Sequence, residues 1–227
     1  MKIAILGTGM VGKAHASRLV ELGHEAIIGT RNVTRTMAND KPDHSGLTFS
    51  EWHNENPSVK VMTFAAAAKQ GEIIYNSLLG DVTIDVLTKL EGQIGDKILI
   101  DISNPLNFSK GMPPTLFVCN TDSLGEQIQD ILPNAKVIKA FNTMNSHVQV
   151  NPKLLAGGDH HIIISGNDAD AKQRVNELLR SYGWEHIIDL GDITTARGTE
   201  MYLPLWLRLW GSVKSPMFNI KIVTNPL

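Results

Sequence analysis

One cysteine, Cys119, stands in a chain of 227 residues, which excludes an internal disulfide and any metal site built from cysteines. Within Leu116-Phe117-Val118-Cys119 it reads as a small apolar filler. Long apolar runs are also missing. None reaches the about 18 residues of a membrane span, and the apolar stretch 194–211 is interrupted by Arg197, Glu200 and Arg208. Neither sign of charge dominates: 21 basic and 23 acidic residues leave a net charge of −2. That balance gives no electrostatic footprint for nucleic acid or an anionic membrane. The chain has no internal repeat, no low-complexity linker and no basic signal region ahead of its first strand, so a cytoplasmic protein is expected. It shows no serine, histidine and acid arrangement and no histidine pair at metal-ligand spacing. His160 and His161 are adjacent on a strand and face opposite ways, so no shared metal is expected. A composition of 42% hydrophobic and 19% charged residues suffices for the core of one large α/β domain.

The N-terminus carries the most specific signal. Residues 2–6 are apolar from Ile3 on, as in a strand buried on both faces of a parallel sheet. Gly7-Thr8-Gly9-Met10-Val11-Gly12 follows at once and matches the dinucleotide-binding pattern. In that pattern the first glycine permits the tight turn, the second lets backbone approach a pyrophosphate, and the third allows helix to pack on strand. A helix to about Leu22 comes next, and its unpaired first amides and dipole stabilise a diphosphate without any basic side chain. Gly23-His24 stops it, and 25–29 reads as a second parallel strand after a crossover of about the minimum length. The expected fold is α/β, a Rossmann-like, doubly wound, mostly parallel sheet. It forms one domain over 1–227, with 192–227 as a small C-terminal helical segment covering the substrate pocket.

The end of the second strand selects the cofactor. An enzyme for NAD places a carboxylate there against the ribose hydroxyls. Here Thr30, Arg31 and Asn32 hold the position, Arg35 lies one turn on, and Asp40 is the first carboxylate after the strand. A hydroxyl and two guanidiniums suit an adenosine 2′-phosphate, so NADP(H) is the expected cofactor.

Strand and helix keep alternating beyond this point. We read a short helix from Ser50, an edge strand over 59–64 running into a helical turn, and a strand over 72–76. A helix over 81–90, a strand over 97–102, a loop holding Pro113-Pro114, a helix over 123–132 and a strand over 136–141 follow. The remainder holds strands at 161–165 and 185–189 around a helix over 168–182 that Asp168 is placed to cap. Three strands end alike, in Asn76-Ser77, Asp101-Ile102-Ser103-Asn104-Pro105 and Asn142-Thr143-Met144-Asn145. Ligands of an open parallel sheet lie at such ends. An asparagine amide offers the donor and the acceptor that a nicotinamide carboxamide and its ribose require, although asparagine also caps helices and turns. Residues 194–211 read as a helix that Pro204 kinks, leaving the Glu200 carbonyl without its usual partner. Trp206 and Trp210 on one face of it form an apolar wall, either of a pocket or of a homodimer interface. Lys139 reads as an edge or salt-bridge residue. His147 is either a polar contact or proton relay to a bound ring, or a plain loop histidine.

These motifs resemble a known family, the NADP-dependent oxidoreductases that reduce or oxidise the 5-deazaflavin coenzyme F420, with their bacterial relatives. The resemblance spans nearly the whole chain. It includes the turn at 7–12, Gly29-Thr30-Arg31-Asn32 with Arg35, Asp101-Ile102-Ser103-Asn104-Pro105-Leu106 and Lys139-Ala140-Phe141-Asn142-Thr143. The tail from Arg197-Gly198-Thr199-Glu200 to Ile220-Lys221-Ile222 belongs to it as well. The resemblance implies that Thr8, Gly9, Met10 and Val11 bind the pyrophosphate and that Thr30, Arg31 and Arg35 bind the 2′-phosphate. It implies a nicotinamide near Asn76, Leu79, Asn104 and the loop from Asn142, with a flavin-like ring stacked on it beneath the C-terminal helix. Met144, Asn145, His147 and Trp206 are then the candidate acceptor contacts. The chain departs from the archaeal pattern in that loop and in its two-tryptophan helix, where the second ring would bind, and related sequences act on ordinary flavins or ferric complexes.

Hydride transfer between stacked heterocycles needs proximity and orientation more than an acid or base, in keeping with the lack of a recognisable catalytic residue. The expected activity is hydride transfer between NADP(H) and a small acceptor, namely a deazaflavin, a flavin or a ferric complex. The alternative is a nonenzymatic NADPH-binding sensor or regulatory subunit. An imine or hydroxy-acid dehydrogenase fits less well, because the helical remainder is short.

Overall fold

In the computed structural model, which describes residues 1–43 and 46–225, the apolar run at the N-terminus forms β1 (Lys2–Leu6). Its side chains alternate between two cores: Ile3 and Ile5 join one, Ala4 and Leu6 the other. A strand wholly buried on both sides belongs in the middle of a covered sheet, and β1 lies there. It pairs in parallel with β2 (Glu25–Thr30) on one side and β4 (Ile73–Asn76) on the other. Beyond β2 lies the edge strand β3 (Lys60–Thr63); beyond β4 lie β5 (Ile98–Asp101), β8 (Lys136–Lys139), β9 (His161–Gly166) and β10 (His186–Asp189). Every neighbouring pair in this eight-stranded sheet is parallel except β8 with β9. The chain leaves β1 in one direction and returns to its other side at β4, so the carboxyl ends of these two strands open the crevice at the switch point.

Helix α1 (Met10–Glu21) covers one face together with α3 (Phe49–Glu55) and α9 (Ala169–Tyr182). On the other face lie α4 (Phe64–Gln70), α5 (Gly80–Thr88), α6 (Glu91–Ile94), α7 (Leu124–Ile131) and α10 (Ala196–Met201). Local chemistry explains several starts. Thr48 and Glu51 form a reciprocal capping box at α3, and Asp168 accepts from the Ala171 amide at α9, as its position suggested. Pro204 breaks the late helix as expected. Helix α10 ends at Met201, and α11 (Leu203–Val213) restarts with the proline in its first turn.

The structure adds elements that the sequence pattern did not reveal. A five-residue helix, α2 (Val33–Met37), follows β2, and the loop with Pro113-Pro114 is folded into an antiparallel hairpin of β6 (Leu106–Asn107) and β7 (Thr115–Leu116). Between β8 and β9 the chain forms α8 (Ser146–Val150). Strand β8 lies inside the sheet, so Lys139 is not an edge residue. No helix among the described residues is long and apolar enough to cross a membrane. Residues 226 and 227 of the C-terminal segment lie outside the described residues.

Candidate functional site

The glycine turn after β1 divides its duties between folding and access. Gly7 has φ +133°, and a Cβ there would lie 2.6 Å from Ser77 Oγ. A Cβ on Gly12 would lie 2.4 Å from the Gly7 carbonyl oxygen. Both positions therefore demand glycine for the packing of α1 against the strand ends. Gly9 differs, since a Cβ there would meet nothing within 4 Å. No side chain caps α1 at Gly9, so its first amides face open space. This cradle fits a diphosphate approaching the backbone closely.

The cradle opens into a cavity of about 840 Å³. Met10 and Val11 line it from α1, Leu78 and Leu79 from the loop after β4, Ile102 and Asn104 from the loop after β5, and Phe108 and Phe117 from the hairpin. Asp81 is the one ionisable lining residue among those described. The rim holds large apolar groups out in solvent: Leu79 is 70% exposed, Phe108 52% and Phe117 42%. A contiguous apolar rim of this kind marks a binding surface.

At the end of β2 the Thr30 side chain is buried, with its hydroxyl 2.6 Å from that of Thr36. The Asn32 side-chain oxygen Oδ1 accepts from the Arg35 amide and so caps α2. Arg31 and Arg35 are exposed, and among the described residues neither joins an ion pair. Two guanidiniums without a counter-ion among the described residues thus stand at the end of the strand beside the glycine turn.

The three asparagines occupy different situations. Asn76 is fully buried; its amide donates to Asp101 Oδ1 and Ser103 Oγ, and its oxygen accepts from the Leu78 amide. Its side chain therefore orders two cavity walls from behind. Asn104 and Asn142 bond each other: the Asn142 amide donates to Asn104 Oδ1 and to the Thr199 carbonyl, and the Asn104 amide donates to the Asn142 carbonyl. This ties the cavity wall to α10 in the C-terminal segment. Phe141, just before, holds φ +65°. So bulky a residue adopts that conformation only where its surroundings impose it, and here it is packed among His15, Tyr75 and Tyr182.

Sequence reasoning allowed Lys139 a salt bridge, which it makes, but missed the buried cluster beneath this wall that provides it. Lys139 Nζ lies 2.7 Å from both Asp101 Oδ2 and Glu200 Oε1 and donates to the Ser103 carbonyl. The only signals were an acid in the Asp101-Ile102-Ser103-Asn104 motif and a lysine inside an apolar strand. His15, on the buried side of α1, bonds Tyr182 and Gln149, and burial lowers its pKa to about 4, so it is neutral.

The four acceptor candidates lie away from the cavity lining. Met144 is buried in the core, the Asn145 side chain caps α8 by accepting from the His147 amide, and His147 is exposed. Trp206 stacks on Phe218 at 5.2 Å, with Trp210 alongside at 5.5 Å. No group of three or more histidine, cysteine or acidic side chains is placed to hold a metal among the described residues.

Comparison with known proteins bears on this geometry. The family model for NADP oxidoreductase, coenzyme F420-dependent, matches residues 2–105. The F420-dependent NADP reductase of Methanocaldococcus jannaschii is 30% identical over 227 residues, covering 98% of each chain. Metalloreductase STEAP3 of Rattus norvegicus is 30% identical over 210 residues, which are 90% of this chain but only 38% of that relative. Among solved structures, a candidate F420-dependent NADP reductase from Arthrobacter sp. FB24 superposes with a TM-score of 0.94 at 52% identity, covering 99% of this chain and 100% of the other.

Proposed function

Because the chain belongs to the family of coenzyme F420-dependent NADP oxidoreductases, we propose that it passes hydride between NADP(H) and a flat, flavin-like acceptor held in the apolar cavity. The observation that carries this reading is the continuity of the open cradle over Gly9 with that cavity. The amides that begin α1, with Thr8, would hold the diphosphate. Thr30, Arg31 and Arg35 would hold the 2′-phosphate, helped by the backbone around Asn32. Ser77, Leu79 and Asn104 would border the nicotinamide, with Asn76 and Asn142 fixing the loops from which they project. When bound, the nicotinamide supplies the hydride chemistry.

The protein contributes orientation and exclusion of water. Leu78, Leu79, Ile102, Phe108 and Phe117 form apolar walls that would orient two planar rings against each other, and no proton donor is required of the lining. The acceptor half is a flavin or deazaflavin in this reading, supported by the aromatic hairpin rim. Met144, Asn145, His147 and Trp206, which lie outside the lining, would act through the loop after β8 and the C-terminal segment, which the bond from Asn142 to Thr199 joins to each other. The test is the rate of NADPH oxidation with riboflavin, FMN, FAD, the deazaflavin coenzyme and ferric chelates, with NADH as control. Rapid turnover with a ring acceptor is expected; tight NADPH binding without turnover on any acceptor would favour a sensor instead.

A cytoplasmic homodimer completes the proposal. Met201, Leu205, Trp210 and Val213 are exposed along α10 and α11 and supply the apolar surface such a dimer would cover. Sedimentation equilibrium of the wild type against Leu205→Glu tests it: a wild type that stays monomeric at every concentration removes the dimer.

A further inference from the structure

We propose that the buried cluster of Lys139, Asp101 and Glu200 tunes the reduction potential of the bound nicotinamide, by keeping a net negative charge behind the cavity wall. The inference rests on the NADP(H) reading above and goes beyond it.

The charge state follows from the hydrogen bonds. Lys139 Nζ has three acceptors, Asp101 Oδ2, Glu200 Oε1 and the Ser103 carbonyl, and an ammonium has three protons to give. Every partner of the two carboxyl groups is a donor. Asp101 Oδ1 accepts from Asn76 Nδ2, the Ser103 amide and Ser103 Oγ, and its Oδ2 accepts from Lys139. Glu200 accepts from the Leu124 and Gly125 amides and faces Lys139. The one partner able to accept an acid proton is the Ser103 hydroxyl, which already accepts from Asn76 Nδ2 and spends its own proton on Asp101 Oδ1, so both carboxyl groups are ionised against a single cation. The side chains of all three are at most 2% exposed, and water therefore screens the excess charge poorly. The N-terminus of α7, which Glu200 caps, offsets about half a unit.

The placement gives this charge a target. Asp101 leads directly into Ile102, Ser103 and Asn104, which line the cavity, and Lys139 grips the Ser103 carbonyl at 2.6 Å. No cation lines the cavity among the described residues, and Asp81 adds to the negative field. A nicotinamide ring is cationic when oxidised and neutral when reduced. A negative field behind the wall therefore favours the oxidised form and makes bound NADPH a stronger hydride donor. The phosphates are the same in both forms and cancel from the comparison. Lys139, Asp101 and Glu200 are thus positioning residues that act through the field and through Ser103.

The experiment measures the dissociation constants of NADP⁺ and NADPH for the wild type and for Glu200→Gln, with thermal melts to verify folding. Removing the excess charge is expected to raise the ratio of the NADP⁺ constant to the NADPH constant about three- to tenfold, an upward shift of about 15–30 mV in the bound couple. A merely structural cluster would weaken both forms alike, and a ratio unchanged within about twofold overturns the proposal. Asp101→Asn must move the ratio in the same direction and replaces Glu200→Gln if that variant does not fold. Should neither variant fold, the wild type decides: binding NADP⁺ at least as tightly as NADPH is expected, and a preference for NADPH overturns the proposal. A wild type that binds neither form would sink the NADP(H) reading itself, along with the inference built on it.

Discussion

Replacing Gly9 by alanine separates ligand binding from folding. The backbone there, at φ −76° and ψ −179°, is open to any residue, and the new methyl would touch nothing within 4 Å. In the free protein the change restricts only the unfolded chain, a gain of about 0.4–1 kcal/mol, or about 1–4 °C in Tm for a chain of this size. With cofactor the same methyl takes up the space above the first amides of α1. Losing one charge-assisted hydrogen bond to a diphosphate costs about 1.5–3 kcal/mol, so the NADPH dissociation constant should rise about 10- to 150-fold. Gly12→Ala is the counterpart with the opposite signature. Its Cβ would sit 2.4 Å from the Gly7 carbonyl, a backbone atom fixed by the turn, and overpacking of that kind costs about 1–3 kcal/mol. Thermal melts of the free proteins and fluorescence titration with NADPH read both effects. A Gly9→Ala protein that binds NADPH like the wild type would refute a diphosphate over this turn. A Gly12→Ala protein that melts with the wild type would refute the packing argument.

Arg31→Ala should raise the KM for NADPH about tenfold while leaving NADH unchanged, because the lost contact is to the 2′-phosphate alone; equal effects on both would show that this arginine does not read the phosphate. Phe117→Ala should raise the KM of a ring acceptor several-fold through lost stacking, with the affinity for NADPH intact, and steady-state kinetics with the acceptor varied checks it. Acid should destabilise the protein through His15, whose folded pKa of about 4 lies below its ordinary 6.5. The unfolded chain takes the proton first as pH falls. The stability is therefore complete above about pH 6.5 and declines toward pH 4 by about 3 kcal/mol. His15→Leu should flatten that part of the melting profile between pH 4 and 6.5, and a slope as steep as the wild type's would assign the acid sensitivity to other groups.

The cofactor half of the site was legible because its chemistry is local. Gly7, Gly9 and Gly12 fall within one turn, and Arg31 and Arg35 fall within six residues of a strand end that carries no carboxylate. Even here the detail of α2 escaped, since a five-residue helix carries too little periodicity to be read and announces itself only through the Asn32 cap. The hairpin at 106–117 was lost for the same reason: strands of two residues have no period.

The polar residues behind the wall illustrate a different limit. Residue type tells that a buried asparagine or lysine must be bonded, but only topology decides to what. Asn76 was readable as a residue at a strand end; that its amide is spent on Asp101 and Ser103 follows from β4 lying beside β5. Lys139 meets Asp101 because β8 pairs with β5, and it meets Glu200 because α10 packs over the start of α7, so the three residues come from segments far apart in the chain. The cavity proposed for the acceptor is assembled in the same nonlocal way, from the loops after β4 and β5 and the hairpin of β6 and β7. A binding site built from one continuous turn announces its ligand in sequence. One assembled from several strand ends takes shape only once the strands are in place, which is why the nucleotide was identified from the chain alone and the acceptor proposed above must be found by turnover.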